Sequence, residues 1–197
     1  MSPFEAAAAF AVAVVLVVLG FIAVASYNAV VALRQRIDKA WANIDVVLKQ
    51  RHDQLPNLVA AVRGLMAYER DVLTRVTEAR AAYAPTAPIP DQAATSEATS
   101  AAVRSLFAVV ERYPDVKAGA NVQDLQDEIE RLEAMIAARR ELYNDQVYRY
   151  NTRIAQVPAV ALAGLLGWRA RPFFEAPETD RARPDADLRA DTKPQPD

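Results

Sequence analysis

The chain of 197 residues sets 23 Lys and Arg against 25 Asp and Glu, so its net charge of -2 offers no polyanion-binding surface and no nucleic-acid partner is expected. The length suits one domain of ordinary size with extras at its ends. With no cysteine there is no disulfide framework, thiolate nucleophile or Cys-ligated metal, and the single histidine, His52, rules out the usual triads and multi-histidine sites. No cofactor, no metal and no enzyme activity are therefore expected.

The first element is an apolar run of 20 residues from Ala6 to Ala25, in a stretch with no charge between Glu5 and Arg34. As a helix it reaches ~30 Å, enough for the hydrocarbon core of a bilayer. Ala23-Val24-Ala25 before Ser26 also looks like a signal-peptide cleavage site. The run is too long for a signal, however, and opens with Met-Ser-Pro-Phe-Glu in place of a basic segment, so residues 1–26 are expected to stay as a membrane anchor. Arg34, Arg36 and Lys39 follow the anchor while its N-terminal flank has no Lys or Arg. A short N-terminus outside and a C-terminal domain on the cytoplasmic side of a bacterial inner membrane are expected. The Ala-rich face of the span also allows a homo-oligomer.

Beyond the anchor, Val30, Ile37 and Ile44 recur at seven with Leu33, Trp41 and Leu48 between them, which predicts an amphipathic helix to about His52. Pro56 disfavours helical geometry at Leu55, so a turn is expected near residues 52–55, with a kinked continuous helix as the alternative. A second helix is expected over about 57–83, its middle column being Leu55, Val62, Glu69, Val76 and Tyr83. Three prolines between Ala84 and Asp91 make an extended connection. A third helix follows over about 95–112, then a loop containing Tyr113-Pro114-Asp115 and Gly119, with Asn121 as the expected N-cap of a fourth helix. In that helix Val122, Ile129, Ile136, Tyr143, Tyr150 and Val157 repeat at seven, and Pro158 stops it. The apolar patch 159–168 is too short to span; it either packs back on the bundle, the favoured reading, or lies on the membrane surface. Residues 176–197, rich in proline and charge, are expected to form a disordered tail.

The fold class is thus all-α: an N-terminal transmembrane helix followed by an antiparallel four-helix-bundle-like domain of long helices over residues 27–175. An ordered string of short words runs through that region: Tyr27-Asn28, Ala40-Trp41, Ile44-Asp45-Val46, Leu55-Pro56-Asn57-Leu58-Val59, Tyr113-Pro114-Asp115, Tyr143-Asn144, Tyr150-Asn151 and Phe174-Glu175. In these the chain resembles the LemA family of bacterial membrane proteins. Tyr68 and Val157 depart from the pattern, where His and Phe are commoner, but both keep size and apolarity. The resemblance implies a single span and a helical bundle, and by analogy a non-enzymatic scaffold or adaptor with membrane or cytoplasmic protein partners. The alternative is a signal-transduction accessory that passes a state from the anchor through the bundle.

His52, Asp53 and Pro56 only approach the phospho-acceptor box of histidine kinases, and a polar turn explains them. Asp38 and Asp45 share a helix face, but Lys49 lies four residues past Asp45, which suits a surface ion pair. Asp127 with Arg131, and Asp145 with Arg149, suit the same arrangement. Asn144 and Asn151, each after a seam tyrosine, are candidates for bonds across helices or for partner binding. Glu69, alone in an apolar column, requires a cation if buried; Arg139, near the middle of the fourth helix, is the expected partner in a structural ion pair, ahead of Arg80.

Overall fold

The computed structural model describes residues 2–64 and 69–175. Helix α1, Pro3–Ala61, starts with a capping box: the Ser2 hydroxyl accepts from the Glu5 amide and the Glu5 carboxylate accepts from the Ser2 amide, with Pro3 in the first turn. At 59 residues it is ~88 Å long. The expected turn at residues 52–55 is absent, because α1 runs straight through Pro56. A proline there forfeits the bond to the His52 carbonyl. Its neighbours Arg51, Leu55 and Leu58 are all buried, so tertiary packing outweighs the local preference.

The expected helix over 57–83 is accordingly two elements. Residues 57–61 complete α1, and α2, Arg70–Ala81, begins after Glu69 as its N-cap. Leu55, Leu58 and Val62 reach the core from the end of α1, and Val72, Leu73 and Val76 reach it from α2. Helix α3, Ile89–Val110, starts six residues before its expected position. Pro90 falls in its first turn, where no amide is needed. The Gln92 amide closes the connection by donating to the carbonyls of Pro85 (3.0 Å) and Ala87 (2.8 Å).

A short turn of helix, α4 at Pro114–Lys117, leads to α5, Ala120–Ala155. Gly119 rather than Asn121 is the N-cap of α5. The seven-residue column from Val122 to Tyr150 is buried throughout, whereas Val157 lies past the helix end and is exposed. Helix α6, Ala159–Leu166, ends at Gly167 in the left-handed conformation (φ 65°) that glycine adopts without strain. It packs through Ala159 and Ala163 while its outer face stays open.

The molecule is all-α, with no strand among the described residues. Its frame is the antiparallel pair α1 and α5: Trp41 meets Tyr143, Asn43 meets Arg139 and Arg51 meets Glu133, so residue numbers fall on one helix as they rise on the other. The α2–α3 hairpin packs beside the far end of this pair, and α6 packs at the near end against both α1 and α5. The apolar stretch of α1 projects from the bundle with none of its residues buried, and it is long and apolar enough to cross a membrane. That helix suggests a single span. The expected disordered tail, 176–197, and Tyr68 lie outside the described residues.

Candidate functional site

The buried column of α1 reads Val30, Ile37, Ile44, Arg51 and Leu58, so one member of an apolar series is a cation. Arg51 keeps only 4% of its side chain exposed. One guanidinium nitrogen donates to the Ser100 hydroxyl and to the Glu133 carboxylate, both at 2.8 Å, and the other donates to the Ser96 hydroxyl at 2.9 Å. Ser100 in turn donates to the second Glu133 oxygen at 2.6 Å. One arginine thus binds α1 to α3 and α5, and the charge is matched and both terminal guanidinium nitrogens are bonded, the condition for burying an ion. Sequence reasoning missed this node. The signal was present: seven residues past Ile44, still within the expected first helix, stands Arg51, but as a charged residue it was not counted in the apolar column, and the expected turn at 52–55 hid its continuation to Leu58.

A second constellation lies along α5 toward the span. Tyr143 and Tyr150 send their hydroxyls to the carbonyls of Pro172 (3.0 Å) and Arg169 (3.2 Å). Asn151 takes both backbone groups of Arg171, donating to its carbonyl at 3.0 Å and accepting from its amide at 2.8 Å, and the Asn144 oxygen accepts from the Phe174 amide at 2.8 Å. Two Tyr-Asn pairs one heptad apart thereby hold an extended strap, residues 169–174. The strap is sealed by Phe174, buried against Trp41 at 5.8 Å between ring centres, and by Arg171, 3.7 Å from Asp38. Burial pushes the Tyr143 hydroxyl up to about 12. Asn144 and Asn151 do bind a peptide segment, but it is the chain's own.

Glu69 and Arg139 do not pair. Glu69 accepts from Arg112 at 3.1 Å and from the Tyr113 hydroxyl at 3.4 Å, while Arg139 donates to the Asn43 carbonyl at 2.6 Å. The expectation failed because it took Glu69 to be mid-helix. As the N-cap of α2 it faces the end of α3 instead of the centre of α5. The surface pairs divide similarly. Lys49 bonds Asp53 at 2.6 Å and not Asp45, Arg131 bonds Glu128 and not Asp127, and Arg149 bonds Asp145 at 2.8 Å as expected. His52, in mid-helix rather than in a turn, stacks on Tyr83 with ring centres 4.6 Å apart, and burial together with the nearby Arg80 lowers its pKa.

Beside the arginine node opens a cleft of about 140 Å³, lined by Ser96, Glu97, Ser100, Arg104, Glu133 and Arg140 among others. Glu97 faces Arg140 at 3.4 Å and Arg104 at 4.0 Å, so the wall charges largely neutralise one another. Among the described residues no group of three or more His, Asp or Glu could hold a metal.

An antiparallel pair of long helices, one carrying an apolar extension long enough to span a bilayer, with a helical hairpin on its side and a clamped strap along its seam, defines a class of helical-bundle protein. The chain belongs to the LemA family, whose model matches residues 40–187. It is similar to Magnetosome protein MamQ 2 and Magnetosome protein MamQ 1 of Paramagnetospirillum magneticum, each 32% identical over 74 residues, or 38% of this chain. The matched stretch covers 27% of either relative's length.

Proposed function

We propose that the protein is a membrane-anchored, non-enzymatic scaffold or adaptor that holds its bundle at the cytoplasmic face of a bacterial membrane and recruits protein partners there. The observation that carries this is the continuity of α1: one helix serves as apolar extension and as central element of the core, so the bundle is held without a hinge. The chemistry-bearing side chains support it too. Arg51, Glu133, Tyr143, Tyr150, Asn144 and Asn151 are spent on bonds within the fold. Signal relay is the second reading, favoured by the node, because Arg51 on α1 grips both α3 and α5 and would pass on any movement of the anchor.

Photo-crosslinking residues placed at the exposed positions Val46, Leu142 and Tyr148 of the full chain in its native membrane test the scaffold. Capture of one protein from neighbouring positions is expected; no protein adduct at any exposed position would overturn the reading. A reporter fused after Asp197 is expected to behave as cytoplasmic, and periplasmic activity would reverse the orientation.

A further inference from the structure

Helix α6 leaves an apolar face without a partner in the fold. From Val157 to Trp168 no residue is charged, and although Ala159 and Ala163 are packed, Val157, Val160, Leu165 and Leu166 are exposed, Val157 and Leu165 by more than four-fifths. Its place along α1 gives that face a meaning. Tyr143 lies beside Trp41, and the fourteen residues from there to Val157 descend ~21 Å along α1, to the level of Tyr27. The chain returns to that level after α6, where Trp168 meets Tyr27 with ring centres 5.9 Å apart. Ser26 is buried there, one residue past the apolar run that ends at Ala25. Helix α6 therefore sits at the mouth of the span, its open face continuous with the exposed surface of the apolar run.

Charge at this end fits the same occupant. Residues 6–37 and 146–174, the two segments that build it, contain no Asp or Glu but carry Arg34, Arg36, Arg149, Arg153, Arg169 and Arg171. Asp145 and Asp38, at the edge of this region, pair with Arg149 and Arg171, which leaves the rim net cationic. A net cationic rim around an apolar face, with Tyr27 and Trp168 at the boundary, matches the chemistry of a leaflet with phosphate headgroups over acyl chains.

We propose that α6 is an interfacial helix, inserted through Val157, Val160 and Leu165 into the leaflet from which α1 emerges, with the arginine rim on the lipid phosphates. The bundle then has two membrane contacts, the span and α6, and stands in a fixed orientation to the bilayer. This rests on α1 being a span, and the test separates the two.

Because the chain has no native cysteine, single spin labels are introduced without other change, at Leu165→Cys, Val18→Cys and Tyr148→Cys, in the full chain reconstituted into vesicles of phosphatidylcholine and phosphatidylglycerol. Collision with oxygen, which favours lipid, is compared with collision with a water-soluble nickel chelate. The Leu165 label is expected about 5–10 Å below the phosphates, Val18 deep in the hydrocarbon and Tyr148, on the exposed side of α5, in water. Val18 in lipid with Leu165 in water overturns the interfacial helix and spares the span; Val18 in water overturns both. Leu165 shielded from both reagents, with dipolar broadening between labels, overturns the proposal in favour of a contact between two copies of the chain.

Discussion

Arg51→Met tests the core at its most exposed assumption, that one buried cation binds three helices. It removes the guanidinium from Ser96, Ser100 and Glu133 and leaves the Glu133 carboxylate with the Ser100 hydroxyl. Glu133 retains 27% exposure against 4% for Arg51, so water can hydrate a stranded carboxylate better than a stranded guanidinium. Removing one partner of a buried pair costs about 3–5 kcal/mol. Arg51→Met belongs near the lower figure and Glu133→Gln, which leaves a buried uncompensated cation, nearer the upper. For a bundle of this size a loss of about 3 kcal/mol lowers Tm by roughly 6–12 °C. Trp41 and Trp168 both sit in the bundle, so tryptophan fluorescence of the detergent-solubilised full chain reads its melting without the span. The double variant should recover more than about 1 kcal/mol of the summed losses, since each change removes the reason for the other. Single losses under about 1 kcal/mol, or additive losses, would refute the node as a three-helix tie.

Pro56→Ala restores an amide opposite the His52 carbonyl inside an unbroken helix and should raise stability in the same melt by up to about 3 kcal/mol. Asn151→Ala removes two bonds to Arg171 and Asn144→Ala one to Phe174; amide exchange across 169–175 should quicken in both, more in the former, with the α3 amides unchanged. His52 has its folded pKa below the ordinary value near 6.5, so the unfolded chain binds the proton first, and stability should fall as pH drops below about 6.5. His52→Phe should flatten that part of the profile. Tyr143 shifts the opposite way: the stability it contributes is complete below pH 10 and should be lost as pH rises toward about 12, a loss that Tyr143→Phe would remove.

Most of the frame is legible in the sequence because it rests on period. The column Val122 to Tyr150 predicts α5 to within two residues at either end, and the uncharged run predicts the apolar extension of α1. The failures share a cause. Pro56 reads as a turn on local preference, yet Leu55 and Leu58 are held in the core from both sides of it. That single misplacement shifted everything counted from it: the first helix stopped short of Leu55 and Leu58, the second helix gained five residues that belong to α1, and Glu69 moved from a helix start to a helix centre. The Tyr-Asn pairs were visible as a repeat, but their ligand is an extended segment some twenty to thirty residues away, and extended segments carry no periodic signal.

The node also answers a problem that the regularity of the frame creates. Two long helices with apolar residues every seven can slide past one another by a heptad and still bury one column against the other. A single polar pair removes that freedom, as polar residues at core positions do in coiled coils. Slipped by seven, Arg51 would come to the level of Gln126 or Arg140 instead of Glu133, trading a carboxylate for an amide or a second cation. The same slip would shift the Tyr-Asn clamp by about 10 Å along α1 and part Trp168 from Tyr27. Register at the arginine therefore determines where α6 stands relative to the end of the apolar run, some 25 residues away on α1. A buried ion that adds little net stability thereby fixes the height of the bundle along the apolar extension of α1.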